Sequence, residues 1–505
     1  MQNLKNFLKN NWPIVAIVAL ALFLRLFRIQ SYMTFLGDEG RDALVWLRML
    51  RHGKLTLIGP QTSIGNMYLG PLFYYLMFPF YVLLGTAGPS IGTALIAGAT
   101  TFFLWCFGRI WFSEKTGLVS AFLYAVSPVA IVLSHSAWNP NIMPFFALLI
   151  IWGIWQFWQK ENFRWLIFEG ILLSFAVQSH YLGLLLLPVV SLFWIGTLLN
   201  LIKSKNNKLK SFLISTVLCL LFFVLLTLGP LVWFDLRHDF INSKAFYKFF
   251  SERQATVNFK PYKAVPNLWP LWQMLVTRLL TGKEVLVGFW VSIFLAGAST
   301  LSTLLFIARK KVQENLAFVL LVTWLLTGIL GMGLYKQHIY DHYFGFLFPV
   351  VFLLAGVIFE MMWRFKIWGK VVAFVLLSVL VIFSVKETPL KNPPNFQMQK
   401  TAEVSKAIVE ISGGKSFNLG LVAKQNYDAG YRYFLEKWGY PPQAIDAQQA
   451  DATITDQLFV ICEGEDCQPI GHPQAEIANF GWAKIQNEWS FPWGTKLYKL
   501  VHNRD

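Results

Sequence analysis

Asp38, Glu39, Arg41, Asp42 and Arg48 lie together in the stretch TFLGDEGRDALVWLR, residues 34–48. Charged residues make up only 14% of the chain, and four of these five fall between positions 38 and 42. Where charge is this scarce, a cluster of it has a purpose. An Asp–Glu pair can act as general base toward an attacking hydroxyl or amine, or it can help hold a divalent metal. It can also cap a helix starting near Gly40, because carboxylates are favoured in a first helical turn. Arg41 beside the pair is a candidate contact for an acceptor or a sugar.

A second group gathers in KQHIYDHYFGFLFP, where Lys336, His338, Asp341, His342 and Tyr343 come within eight residues. Several cationic donors are what a phosphate needs, and Lys336 with His338 or His342 could supply them. The alternative is a positively charged helix terminus with a salt bridge through Asp341. Further polar side chains recur in other turns. SHSAWNPN offers His135, Trp138, Asn139 and Asn141, which could meet a sugar or satisfy helix ends. QSHY offers Gln178, His180 and Tyr181, in a chain with eight histidines, for packing or for ligand contact. Tyr68 lies in the loop 50–71, where His52 and Lys54 could contact a phosphate or face headgroups. Gly53, Gly59, Gly65 and Gly70 punctuate that loop, and its length favours function over simple connection. In the segment 235–284, Arg237, His238 and Lys244 could face an anionic headgroup while FYKFF lies on the lipid surface; a plain interfacial helix explains Phe246–Phe250 equally well.

The elements that must position these groups follow from composition. The chain has 505 residues, 55% hydrophobic, with mean hydropathy +0.49, 46 Phe and 21 Trp. Repeated apolar runs of bilayer length predict a polytopic α-helical membrane protein. The net charge of +16 sits largely in short loops beside apolar runs, so it reads as topology and anionic-lipid contact, with no nucleic-acid partner. Candidate spans are 12–29, 68–86, 90–108, 117–134, 141–158, 165–179, 181–201, 211–234, 285–306, 315–335, 343–361 and 369–385. The stretch 66–108 should cross an odd number of times yet shows two apolar runs, so 11 to 13 spans are expected. Basic groups at Arg109/Lys115, Lys160/Arg164, Lys203–Lys210, Lys310/Lys311 and Arg364–Lys370 read as cytoplasmic. The N-terminus is then also cytoplasmic, and the polar turns gather outside. No small-residue cleavage site follows the first run, which reads as a retained helix.

After Lys386 the composition changes through a Pro/Lys/Asn-rich linker, and residues 400–505 hold no bilayer-length apolar run. This divides the chain into a transmembrane domain, 1–386, with outer loops 30–70 and 235–284, and an extracytoplasmic α/β domain, 387–505. Helices are expected at TAEVSKAIVEI and DAGYRYFLEKWG, and strands at SFNLGLVA and QLFVICE. No glycine-rich nucleotide fingerprint follows the first strand. Tyr427, Asp428, Tyr431 and Arg432 could line an acceptor surface or serve packing and salt bridges. Cys462 and Cys467 could close a small disulfide loop in an oxidising compartment, or form a reduced pair in a turn; Cys106 and Cys219 fall in apolar helices and should stay unpaired.

These features together resemble the GT-C superfamily of integral-membrane glycosyltransferases, near the branch of aminoarabinose transferases and protein mannosyltransferases. The resemblance covers Met1–Glu387. It rests on Asp38-Glu39 in the first outer loop, Gly70-Pro71-Leu72-Phe73-Tyr74-Tyr75 in place of a His-Pro-Pro-Leu-Tyr-Tyr-like segment, the Ser127-Pro128 helix, and His342-Tyr343 followed by Pro349. It implies transfer of a sugar from a polyprenyl-phosphate carrier to a lipid, glycan or protein acceptor at the outer face of the cytoplasmic membrane. Asp38 matches the family's acidic catalytic residue, with Glu39 beside it, and a single displacement would invert the anomeric centre. The Lys336–Tyr343 region matches where lipid phosphate is held, which leaves Lys336, His338, His342, Tyr343, Arg237 and His180 as donor-phosphate candidates. Arg41, Tyr68, Trp138, Asn139 and Tyr181 are candidates for acceptor or sugar. No cofactor is implied with certainty; a divalent metal is possible. The competing class is a transporter or flippase of a lipid-linked or amphipathic substrate, which should often display related halves or broken helices around a midplane site. The sequence displays neither an internal repeat nor a convincing mid-membrane charge.

Overall fold

The computed structural model describes residues 2–62, 67–252, 257–258, 260–308, 315–464 and 467–503. Gly65, Lys310, Lys311 and the EGED residues Glu465 and Asp466 lie outside the described residues, as do the side chains of Phe249 and Phe250. The chain forms two compact units. One comprises Met1–Phe27, Leu57–Phe80 and Gly88–Pro393; the other comprises Arg28–Thr56, Tyr81–Ala87 and Pro394–Asp505. The acidic segment 34–48 therefore shares a compact unit with the C-terminal sequence, a grouping that a division at residue 387 does not contain.

Among the described residues, eight segments are long and apolar enough to cross a membrane, or nine if the bent pair Glu114–Val126 and Pro128–Ser134 counts as one span. The protein is thus a multi-pass α-helical membrane protein with a small α/β domain after its last span. The count falls below the 11 to 13 read from the sequence for three physical reasons. Trp12–Leu26 and Arg164–Ser179 are short helices of 15 and 16 residues. The two runs in 66–108 form one apolar segment, Leu72–Trp111. The expected span 117–134 breaks by 62°. Ser127 is extended at the break (ψ 118°), as a residue preceding proline prefers.

The break leaves carbonyls without helical partners inside an apolar bundle, and Arg25 meets them. Its guanidinium donates to the carbonyls of Tyr124 at 3.0 Å and Ala125 at 2.9 Å, and lies over the Tyr124 ring. Ser127 Oγ donates to the Leu279 carbonyl at 2.8 Å. Arg25 is fully buried, and so is Glu169 on Arg164–Ser179. Two buried ionisable residues thus sit within apolar helices, which corrects the expectation of a bundle without internal charge. Arg25 has a structural explanation in the carbonyls it satisfies.

Burial ranks the spans. Asp341–Trp363 is 89% enclosed by protein, whereas Leu209–Asp235 and Ile367–Lys386 are only 17% enclosed and present apolar surface outward. The central span therefore follows directly on the His342-Tyr343 turn. It packs on Glu114–Val126 through Gly356, where an added Cβ would overlap Ser120 Oγ and the Thr116 carbonyl. Close approach at small residues replaces the hydrophobic drive that lipid removes. The segment 235–284, expected as a loop, contains the helices Ile241–Glu252 and Val265–Leu280. The second buries Leu271, Trp272, Leu275, Val276, Leu279 and Leu280, and Pro266 and Pro270 in its first turns mask its helical period.

In the other unit, four strands order as β1 (Asn418–Ala423), β2 (Gln457–Glu463), β4 (Thr495–His502) and β3 (Ala483–Ser490). β1 and β2 are parallel, joined through the helix Ala429–Lys437, and β4 runs antiparallel to both β2 and β3. Leu419, Leu421, Phe459, Ile461 and Leu497 pack on one face with Val404 and Ile408 of the helix Gln397–Ser412. Leu458, Val460, Cys462, Tyr498 and Leu500 pack on the other with Ile477 and Phe480. Both faces of the central strands are covered, so their sequences read as continuous apolar runs. The two helices and the strands β1 and β2 lie where the pattern places them. β3 and β4 escape the pattern, because the polar, exposed β3 carries little periodic signal. Cys462 is disulfide-bonded to Cys467, and Cys106 and Cys219 are free.

Candidate functional site

The acidic pair divides into two roles. Residues Gly37–His52 form one helix, which ends where Gly53 adopts the left-handed conformation (φ 63°). Its first four amides lack helical partners. Glu39, buried in the first turn, accepts the Leu36 N–H at 3.1 Å, which is the capping geometry that a carboxylate in a first turn favours. Asp38 differs. Its side chain is 40% exposed, and its Oδ1 accepts from Arg41 Nη1 at 2.9 Å and from the Tyr427 hydroxyl at 2.6 Å. Arg41 also pairs with the fully buried Asp42 at 2.8 Å.

Two donors on one oxygen fix the Asp38 rotamer and leave Oδ2 as the oxygen able to take a proton. Burial, and after it the Asp38 carboxylate acting against the relief supplied by Arg41, raises the Tyr427 phenol above its ordinary range, so it stays a hydrogen-bond donor. Asp38 and Glu39 serve different partners, a donor set that does not fit one divalent cation bridging the pair. Among the described residues, no three His, Cys, Asp or Glu side chains converge as a metal-binding group.

The acidic helix packs tightly on Ala429–Lys437. A Cβ at Gly40 would overlap the backbone of Gly430, and one at Gly37 would overlap the Tyr427 ring. Arg48 forms a two-pronged pair with Glu436 at 2.9 and 2.7 Å, and Arg51 donates to the carbonyls of Glu436 and Lys437. The contact with Glu436 raises the Arg48 pKa above its ordinary value. Of the residues weighed for an acceptor surface, Tyr427 binds Asp38, Asp428 pairs with Arg432, and Tyr431 donates to Glu463. His52 and Lys54 are exposed at the far end of the acidic helix.

The membrane-spanning unit holds a second, aromatic and imidazole-rich group. The ring of His342 lies 4.3 Å from Trp138 and 4.6 Å from Tyr343, and the ring of His180 lies 5.0 Å from Tyr343 and 6.1 Å from His342. Tyr340 stacks on His342 at 5.8 Å, with His338 at 4.6 Å from Tyr340. Three separate turns thus converge on His342. Lys336 and His338 are exposed at the start of this segment. Asp341 forms the salt bridge that its position beside a helix terminus allows, with Arg278 as partner: Arg278 Nε donates to Oδ1 at 2.6 Å and Nη2 donates to Oδ2. Asn141 donates to the Ser136 carbonyl, while its Oδ1 is buried without a partner beside the cavity that His342 also lines.

Other candidates serve the scaffold. Asn139 is buried and donates to the Ser179 carbonyl at 2.5 Å. Tyr181 donates to the Tyr68 carbonyl at 2.9 Å, and the Tyr68 N–H donates to Asn242 Oδ1 at 2.8 Å. Asp235 accepts the N–H groups of Asn242 and Ser243, which fixes the start of Ile241–Glu252. Arg237 is exposed and lies over the Trp233 ring at 4.8 Å. Gln178 accepts the Leu72 N–H at 3.2 Å and donates to the Leu226 carbonyl at 2.9 Å; a Cβ at Gly70 would overlap its side chain. The glycine at position 70 and the glutamine of QSHY are therefore one packing arrangement. Arg278, Asn426 and Glu463 are residues that sequence reasoning misses, and Tyr427, weighed there for an acceptor surface, meets Asp38 instead. All act through contacts distant in sequence.

Known proteins share part of the sequence pattern and the overall fold of this chain. A family profile described as dolichyl-phosphate-mannose-protein mannosyltransferase matches residues 69–233. No curated protein matches the sequence significantly. The solved structure of ArnT from Cupriavidus metallidurans bound to undecaprenyl phosphate superposes with a TM-score of 0.60 at 11% identity, covering 97% of this chain and 98% of that one. Its apo state gives 0.60 at 12% identity with the same coverage. The apo oligosaccharyltransferase of Archaeoglobus fulgidus gives 0.51 at 11% identity, covering 98% of this chain and 75% of that one. The fold of this chain is thus the fold seen in ArnT and in the archaeal oligosaccharyltransferase.

Proposed function

We propose that this protein is a glycosyltransferase that moves a sugar from a polyprenyl-phosphate carrier to a lipid, glycan or protein acceptor at the outer face of the cytoplasmic membrane. The observation that carries this reading is Asp38, a half-exposed carboxylate in a chain poor in charge, held by two donors at Oδ1 while Oδ2 is left to act. In the proposed reaction Oδ2 takes the proton of the acceptor as its nucleophile attacks the anomeric carbon. The bond to the lipid phosphate breaks, and the configuration inverts in a single displacement.

The departing lipid phosphate is already a stable anion, so the reaction needs cationic and hydrogen-bond donors rather than a protonating acid. Lys336, His338, His342 and Tyr343 are assigned to it, with His180 within ring contact of His342 and Tyr343. Arg237 is assigned to a phosphate at the membrane surface instead, because its neighbours are Trp233 and the exposed end of Leu209–Asp235. Trp138, whose ring lies tilted against that of His342, suits a sugar ring. Arg41 is assigned to orienting Asp38, and Tyr68, Asn139 and Tyr181 to shaping the surrounding backbone. The undecaprenyl phosphate bound to ArnT supports the lipid class of the donor. The N-terminus is placed in the cytoplasm and residues 387–505 outside.

The test is reconstitution of the full chain in liposomes with a panel of undecaprenyl-phosphate sugars and a membrane extract as acceptor. Transfer from at least one donor, abolished in Asp38→Asn while donor binding persists, is expected. Full transfer by Asp38→Asn, or translocation of donor without covalent transfer by the parent protein, would reject the assignment.

A further inference from the structure

The hydrogen bonds around Asp38 continue into the C-terminal sheet. Gly37 opens the acidic helix, and its N–H donates to Asn426 Oδ1 at 2.8 Å. Asn426 Oδ1 also accepts the Tyr427 N–H at 2.9 Å, and its Nδ2 donates to the two carboxylate oxygens of Glu463 at 2.9 and 3.1 Å. Glu463 ends β2 and accepts a further hydrogen bond from Tyr431. Burial, and after it the Glu463 charge, raises the Tyr431 phenol well above its ordinary range, so it too remains a donor. A helix usually finds its N-terminal acceptor in the residue just before it. Here that residue is Leu36, which has none, and Asn426 supplies the acceptor from 389 positions away.

We propose that Asn426 and Tyr427, in the loop between β1 and the helix Ala429–Lys437, are positioning residues for the Asp38 carboxylate. Asn426 fixes the first turn of the acidic helix and is itself fixed by the end of β2. The Tyr427 ring covers Gly37, where no side chain would fit, and its hydroxyl sets the direction of Oδ1. Arg41 also contacts Oδ1 but shares its guanidinium with Asp42, so it constrains Asp38 less than a single-purpose donor does. The C-terminal α/β domain is on this account part of the transfer machinery and not an appended module.

The inference rests on Asp38 acting as the base, and two measurements keep its failure separate from failure of that assignment. Hydrogen–deuterium exchange requires no activity. Asn426→Ala should raise exchange at residues 36–41 about tenfold or more, with β1, β2 and β4 unchanged. In the reconstituted assay with the best undecaprenyl-phosphate sugar of the panel, Tyr427→Phe should lower kcat roughly tenfold with donor KM and melting temperature unchanged, since a small misplacement of a reacting group costs rate rather than binding. Unchanged exchange in Asn426→Ala, or unchanged kcat in Tyr427→Phe beside an inactive Asp38→Asn, overturns the positioning role alone. A fully active Asp38→Asn overturns the catalytic assignment, and the positioning role with it.

Discussion

Arg278 grips Asp341 in a two-pronged ion pair across 63 positions of sequence, joining the helix Val265–Leu280 to the turn that carries His342 and Tyr343. A planar guanidinium matches a carboxylate at two points, which fixes the angle of the turn as well as its distance. The turn then enters the most enclosed span of the bundle, so its geometry is set at both ends.

Arg278→Ala should loosen the His342 turn and leave Asp341 without this partner. A charge-assisted pair that is partly exposed is worth about 1–3 kcal/mol, and the melting temperature should fall accordingly. Because the turn is assigned to the donor phosphate, donor KM should rise roughly tenfold with a smaller change in kcat. Arg278→Lys should recover less than half of the loss, because an ammonium reaches only one of the two oxygens at a time. Recovery to parental KM by lysine would show that charge alone suffices.

The two neighbouring carboxylates should separate in experiment. Glu39→Ala removes the acceptor for the Leu36 N–H and should cost about 1 kcal/mol of stability, the usual worth of a helix cap, with kcat close to that of the parent. Asp38→Asn should do the reverse, keeping the melting temperature and losing transfer. Thermal unfolding and transfer rate measured on both variants check the pair; equal loss of activity in the two would return Glu39 to the chemistry.

Gly40→Ala is expected to destabilise even though alanine favours a helix. The added Cβ meets the N and Cα of Gly430, and backbone cannot rotate away as a side chain can. Overpacking of this kind costs about 1–3 kcal/mol. Gly53→Ala meets nothing within contact and should cost only the left-handed backbone preference, about 1 kcal/mol. A melting temperature lowered more by the Gly40 change than by the Gly53 change confirms that the two helices touch backbone to backbone.

Much of this arrangement is legible in the amino-acid pattern. Apolar runs and loop charge point to a multi-pass membrane protein, and scarcity of charge picks out Asp38 and the Lys336–Tyr343 segment. The helices Gln397–Ser412 and Ala429–Lys437 and the strands β1 and β2 also follow from pattern. What is illegible depends on distant contacts. Glu39 and Asp38 are adjacent and chemically alike, and only the partners Leu36 and Tyr427 tell cap from candidate base. Asn426 is an ordinary loop residue until Gly37 is placed against it. Gln178, which reads equally as a packing or a ligand-contact residue, is the complement of Gly70. Arg278 lies in a segment whose prolines disguise a helix, so its pairing with Asp341 leaves no local trace.

Lys415 is exposed in the turn before β1, at the opposite end of that strand from Asn426 and Tyr427, so Lys415→Cys reports topology without altering the residues that contact Asp38. A membrane-impermeant maleimide should label it in intact cells, because the basic loops place the C-terminal domain outside. Cys106 and Cys219 lie within apolar helices and should remain unlabelled, and Cys462 and Cys467 should react only after reduction, being joined to each other. An outer location is also the one in which such a bond persists. Closing so short a loop stabilises by about 2 kcal/mol in the chain-entropy account, so Cys462→Ser with Cys467→Ser should lower the melting temperature modestly. The bond lies beside Glu463, which anchors Asn426, so the same double variant should also raise exchange at residues 36–41. Labelling of Lys415→Cys only after lysis would reverse the orientation and place the transfer chemistry on the cytoplasmic side.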